Sequence, residues 1–208
     1  MPSTSAPPRG ARRSTASRLR RAAVFAAGAL AVGVLTPATV ASAAPAGPTA
    51  SKQLNISQQV QEQDQWCWAG SGLTIAQYLQ KDQGYSQTDF CSVARGGQPG
   101  EYCPNEAGYL EWVQTAFQAL GINGGRIGGA LSFAQVQQSI DGNSPIETGI
   151  YWTAGGGHAQ VIYGYDSSTQ ALSYGDPWPS SPRYSQMRHQ SYRSNGQFRW
   201  AESLYGEK

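Results

Sequence analysis

The sequence predicts an α+β domain, with helices in its first half and an antiparallel sheet in its second. Two observations predict it. Between about residues 67 and 140, apolar side chains recur three and four residues apart, the mark of helices with one buried face. Beyond Asp141 the pattern changes to short runs rich in Ile, Val and Tyr, punctuated by Gly, Asn, Asp and Pro, which is how strands and turns are written.

Residues 1–43 are expected to lie outside that domain. Six arginines fall between Arg9 and Arg21, followed by the apolar run Ala22 to Leu35 and then by Ala41-Ser42-Ala43. A basic stretch, a short apolar core and an A-x-A site describe a secretory signal peptide. The run is shorter than the roughly 20 residues of a membrane span. A basic tail that binds nucleic acid is the other reading, and it leaves the apolar run unexplained. The chain carries 15 Lys and Arg; nine remain without the leader, against 13 Asp and Glu, a balance of about −4. A mildly acidic domain has no electrostatic reason to seek nucleic acid or an anionic membrane. We therefore expect a secreted, extracellular monomer with no stable membrane association once the leader is cleaved.

Residues 44–53, beginning APAGPTA, read as a disordered lead-in, and the domain is expected over residues 54–208. Leu54 to Val60 alternates apolar and polar and could run extended. A first helix starts at Cys67, carries Leu73, Ala76, Tyr78 and Leu79, and ends by Gly84. A second runs from Asn105, as its cap, to Leu120, with Leu110, Val113, Phe117 and Leu120 as its stripe and Gly121 as its stop. GINGGRIGG, residues 121–129, reads as a loop and lacks the Lys-Ser/Thr of a phosphate-binding loop. Ser132 caps a third helix through Phe133, Val136 and Ile140. PIETGIYW, HAQVIYGYD and ALSYGDPW then read as strands. Asn195-Gly196 is expected to join the last two strands, near 187–194 and 197–205, into a hairpin.

The cysteines direct attention to chemistry. Export permits disulfides, and three cysteines leave one thiol over. Cys91 and Cys103 flank ARGGQPGEY, a loop without apolar periodicity that a bridge would pin. Cys67 is then the free thiol, in Trp66-Cys67-Trp68-Ala69, where a glutamine-rich stretch turns into a helix. The nucleophile is the thiolate, and a free thiol ionises near pH 8.5; a helix start and a neighbouring imidazolium both favour the charged form. From this segment alone a buried structural cysteine reads equally well.

A nucleophilic thiol needs a base and an orienting group. Of the two histidines, His189 lies in QMRHQSYR and is expected at the surface. His158 opens a strand behind Gly155-Gly156-Gly157, glycines that would let another backbone come close. Asp176 follows His158 by 18 residues, about one strand, one turn and a returning strand, and so comes back beside it. Two histidines and one free cysteine make no convincing zinc ligand set. Neither metal nor cofactor is expected.

A glutamine six residues before Cys-Trp-Ala, Gly-His opening a strand, and Asp-Pro-Trp together resemble the papain-like cysteine peptidases. The resemblance is nearest to their compact bacterial secreted branch, AvrRpt2-type and C39-like, and it covers most of residues 54–205. It implies a papain-like fold and a peptidase that hydrolyses protein or peptide substrates through Cys67, His158 and Asp176 by way of a thioester. It also implies Gln61 as an oxyanion donor, although Gln63 and Gln65 stand nearby, and Trp178 with Trp68 as residues shielding the site. The chain departs from papain in using Asp as orienter, and in lacking both the double-cysteine signature and a long inhibitory pro-domain. The same triad also serves cell-wall peptide hydrolysis and transglutaminase-like acyl transfer. Outside catalysis, the 22 Trp, Tyr and Phe could furnish a secreted binding module.

Overall fold

The computed structural model describes residues 50–208, and its elements follow the change of pattern at Asp141. In chain order they are β1 (Ser51–Gln53), α1 (Cys67–Tyr78), α2 (Gln87–Ala94), α3 (Leu110–Ala119), β2 (Arg126–Gly128), α4 (Phe133–Asp141), β3 (Ile146–Trp152), β4 (Gly157–Asp166), β5 (Ala171–Gly175), β6 (Tyr184–Arg188), α5 (His189–Arg193) and β7 (Phe198–Tyr205). The strands form one antiparallel sheet in the order β2-β7-β3-β4-β5-β6, with β1 added on β4. This is the expected α+β architecture, helices first and sheet second. The leader and most of the lead-in lie outside the described residues.

The helical part is tied together by close approach. In α1, Leu73, Ile75 and Ala76 are buried, as are Phe90 of α2 and Val113, Ala116 and Phe117 of α3. A Cβ on Gly72 would lie 2.6 Å from the Phe90 ring and 2.9 Å from Val113, so this glycine lets three helices meet at one point. On the sheet, Ile146, Ile150, Val161, Ile162, Leu172 and Leu204 are fully or almost fully buried. Each such side chain contributes about 1.5–3 kcal/mol over leaving it in water. Among the described residues no helix is long and apolar enough to cross a membrane.

Several local expectations are corrected. Ser51–Gln53, assigned to a disordered lead-in, pairs with Gly164–Asp166 as β1, where open backbone groups on β4 accept a partner strand. Helix α2 was not expected. Ser86 starts it, accepting from the Asp89 N–H while the Asp89 carboxylate accepts from the Ser86 N–H, a capping box that the sequence does spell. Helix α3 begins at Leu110, not Asn105, because the Asn105 side chain accepts from the Gln65 N–H instead. Within 121–129, Arg126–Gly128 is β2, paired with β7.

The largest correction concerns the last two strands. Asn195-Gly196 does not close a hairpin between them. β6 pairs with β5, α5 intervenes, and β7 crosses to lie between β2 and β3. The Asn195 carboxamide instead accepts from the N–H groups of Gln197 and Phe198 and bends the chain into β7. The glycines before His158 also act differently from expectation. Gly155 and Gly156 have φ of +97° and +84°, and a Cβ on either would meet nothing within 4 Å, so they serve the β3–β4 turn; Gly157 alone meets the expected close approach, a Cβ there lying 3.3 Å from the Ile150 carbonyl oxygen.

Candidate active site

The tryptophans of the WCWA segment fix the start of α1. Trp66 Nε1 donates to the Pro104 carbonyl at 3.0 Å, and Trp68 Nε1 donates to the Glu106 carbonyl at 3.2 Å. Both acceptors lie just after Cys103, which is bonded to Cys91 of α2 as expected, with Cα atoms 6.0 Å apart. The bridge therefore anchors the segment on which both indoles rest. Trp68 is buried, packs edge-on against Trp112 at 5.6 Å, and lies so close to Gly108 that a Cβ there would be 2.4 Å from its ring.

Cys67 is the first residue of α1 and the unbridged cysteine. Trp66 makes no side-chain cap and the first turn holds no acidic residue. The helix thus presents its free N–H groups and the positive end of its dipole at the sulfur without a built-in anion.

His158 meets this helix start from the sheet. In register it lies opposite Ile150 of β3, and Gly175 at the end of β5 lies opposite Val161, so Asp176 emerges beside the first residues of β4. His158 Nε2 is 2.8 Å from Asp176 Oδ1, which leaves Nδ1 as the nitrogen available to Cys67. The sulfur is near enough to raise the ring's affinity for a proton. Burial is the largest influence on the ring and pushes its pKa down. The hydrogen bond to Asp176, then the neighbouring Cys67 and the charges of both, outweigh it and bring His158 up to about 9.

Asp176 is held from all sides. Its Oδ1 also accepts from the Trp178 N–H at 2.9 Å, and its Oδ2 accepts from Gln160 Nε2 at 2.8 Å. Burial pushes its pKa up, but the His158 bond and charge, followed by the Trp178 and Gln160 bonds, hold the carboxyl below its ordinary range. Gln160 is held in turn by Tyr192, whose buried hydroxyl donates to Oε1 at 2.8 Å and takes a bond from Thr148 at the same distance. The sequence reading missed Gln160 and Tyr192. An i, i+2 relation on one strand face was the available signal for Gln160; nothing local pointed to Tyr192.

Aromatic rings close over the imidazole. Trp178 stands edge-on to it at 6.3 Å, and Trp152, also missed, stacks on it at 6.0 Å with 22° between the planes. Trp152 ends β3 and reaches the ring because the tight turn returns the chain at once to His158. His189 lies elsewhere, half-buried against Phe133 and Trp200, with Nε2 2.9 Å from the Leu131 carbonyl.

Gln61 does not face the cleft in the expected way. Its Nε2 donates to the carbonyls of Gln63 and Asp64 at 2.8 and 2.9 Å, so both amide hydrogens are committed within its own loop. It is buried behind the cleft wall, whereas Gln65 lies on that wall. The cleft itself measures about 640 Å³, and Cys67, Trp68, Tyr109, Tyr151, Trp152, His158 and Trp178 all border it. Among the described residues, no three His, Cys, Asp or Glu side chains group as a metal ligand set.

Behind the thiol lies a buried carboxyl that the sequence did not suggest. Glu147 of β3 is wholly buried with neither oxygen hydrogen-bonded. Burial first, then the charges of Cys67 and Glu207, push its pKa well above the usual range. Glu207 is also buried, accepts from Ser144 Oγ at 3.0 Å, and is pushed up to about 8 mainly by burial.

The chain is a cysteine-type peptidase of the papain-like class. Residues 49–196 match the family described as papain-like cysteine protease AvrRpt2, and the chain belongs to that family. The non-catalytic binding module gives way to that assignment. No curated protein matches the chain. Among solved structures it is similar to a double glycine motif protease from an AMS/PCAT transporter, crystallised in complex with the leader peptide. The identity is 15% and the TM-score 0.44, over 74% of this chain and 92% of that one.

Proposed function

We propose that the chain is a secreted cysteine peptidase that hydrolyses peptide bonds through a Cys67–His158–Asp176 triad. One observation carries the reading. An imidazole bound on Nε2 by a buried, fully satisfied carboxylate offers its other nitrogen to a thiol at the uncapped start of a helix.

The chemistry follows from that pair. The Cys67 proton passes to His158, and the sulfur attacks the substrate carbonyl carbon, forming the C–S bond as the π electrons move to oxygen. The oxyanion is received by the Cys67 backbone N–H at the start of α1; Gln61, with both amide hydrogens spent on its own loop, is not a donor to it. Donors of this kind are worth about 10²–10³ in kcat. As the oxyanion collapses the C–N bond breaks, and His158 protonates the leaving amine. His158 then takes a proton from water, the hydroxyl adds to the thioester, and the sulfur departs. Asp176 steadies the imidazolium throughout. Trp152 and Trp178 limit water at the His158–Asp176 bond and so strengthen it. No step calls for a metal or cofactor.

Cys67→Ala is expected to abolish casein cleavage while the circular dichroism spectrum stays that of the wild type. Thiol alkylation should inhibit, and a chelator should not. Retained cleavage by Cys67→Ala would end the assignment. Hydrolysis and acyl transfer part only at the second step, so an added amine acceptor and purified cell wall separate the peptidase from its two triad-sharing alternatives. Secretion is read from residues 1–43, and sequencing the exported protein is expected to find its first residue near Ala44.

A further inference from the structure

Apart from His158 and its bound Asp176, the cleft wall carries two ionisable side chains other than tyrosine and the thiol itself. Among the described residues they are Asp64, just before α1, and Glu202 on β7, and no Lys or Arg lines the cleft. Glu202 is the better placed. It lies opposite Gly149 of β3, one residue before the Ile150 that faces His158 in register. A Cβ on Gly149 would be 3.3 Å from Glu202 Cβ and 3.5 Å from its Oε2, so the carboxylate leans over bare backbone. Any larger residue at 149 would crowd that position.

The surroundings hold the carboxylate without neutralising it. The Tyr151 hydroxyl donates to Oε1 at 3.2 Å, which leaves Oε2 for a ligand. The guanidinium of Arg199 sits over the Tyr151 ring at 5.1 Å, and among the described residues it makes no ion pair with Glu202. Tyr109, from the helical side, borders the same cleft as Tyr151. Two aromatic rings and one carboxylate oxygen therefore bound the same part of the cleft. An apolar substrate side chain entering there would strip water from Oε2 without replacing its hydrogen bond. A cation restores the bond with charge assistance, and its stem packs along the rings, whose faces also attract positive charge.

We propose that Glu202 is a specificity-determining residue, selecting substrates with Lys or Arg close to the scissile bond, seated between Tyr109 and Tyr151. The proposal rests on the reading of this cleft as the peptide site.

The test is a peptide series in which each of three positions on either side of the cleaved bond carries Lys, Arg, Gln, norleucine or Glu in turn. For wild-type protein, kcat/KM at one position should favour Lys or Arg over norleucine by about tenfold or more, the scale of a charge-assisted bond in a partly closed site. High salt should weaken that preference in the unmodified protein. Glu202→Gln should bring the ratio to within about twofold, and Glu202→Arg should favour Glu at the same position. If the wild type shows no cation preference anywhere, or Glu202→Gln retains it, the proposal is overturned. Casein cleavage, with Cys67→Ala as control, reads the peptidase assignment separately. Cleavage of casein and norleucine peptides without cation preference would sink this inference alone. Cleavage of nothing would sink both.

Discussion

Asp176 has no idle oxygen. Oδ1 serves His158 and the Trp178 N–H, and Oδ2 serves Gln160, so the carboxylate can neither rotate nor take a proton without losing a bond. Its effect on His158 has a definite sign. The Asp176 bond and charge raise the ring's pKa against the downward pull of burial, so removing them must lower it. Asp176→Ala is predicted to reduce kcat by about 10⁴, the drop found when a triad orienter is lost. The alkaline limb of the kcat/KM profile should also move down from about 9. A merely structural loss would lower activity at every pH and leave that limb in place. Cys67, His158 and Asp176 were legible in the sequence because each stands at a punctuated point: a helix start, a strand start and an Asp-Pro turn. Gln160, Trp152 and Tyr192 occupy the interiors or ends of ordinary elements. Their partners come from distant segments, so no local pattern marks them.

At the scale of elements, the position of the thiol is set from outside its own helix. The Cys91–Cys103 bridge holds the segment whose carbonyls at Pro104 and Glu106 receive the Trp66 and Trp68 indoles. Replacing both bridging cysteines with serine is predicted to lower stability by about 2–4 kcal/mol, the usual effect of opening a loop of this size, read from denaturant midpoints. Gly108→Ala tests the same contact without touching the bridge. Its Cβ would enter the Trp68 ring, and an overpacked core of this kind costs about 1–3 kcal/mol. An alanine at 108 as stable as the wild type would show that Trp68 is not held there. The bridge was legible because cysteine parity and a patternless loop are local facts. The pairing of β7 was not. Asn195-Gly196 is a local turn signal, whereas the partners of β7 are β2 and β3, strands far from it in sequence. Helix α2 was legible in principle, since Ser86 and Asp89 spell its cap.

For the molecule as a whole, buried ionisable groups make stability depend on pH. His158 holds its proton to about 9 when folded, against 6.5 ordinarily. Its contribution is fully present below 6.5 and is lost as pH rises through about 9. Glu207 holds a proton to about 8 against an ordinary 4.5, so its contribution is lost as pH climbs through about 8, and Glu147 acts in the same direction. Asp176 works oppositely, its contribution present above 3.8 and lost as pH falls through its lowered value. The melting temperature should therefore be highest near about pH 5 and decline toward pH 9. Glu207→Gln should flatten the decline, and a wild-type melting temperature that rises between those limits would contradict this. The share due to Glu147 and Glu207 was not readable from the sequence, where both pass for surface residues until the sheet buries them. The most direct test of the convergence of sulfur, ring and acid is the rate of Cys67 alkylation by iodoacetamide near neutral pH, in the wild type and in His158→Ala. The triad predicts that the wild type reacts at least about tenfold faster than a free cysteine, and that the variant loses this advantage. Equal rates in the two proteins would contradict it.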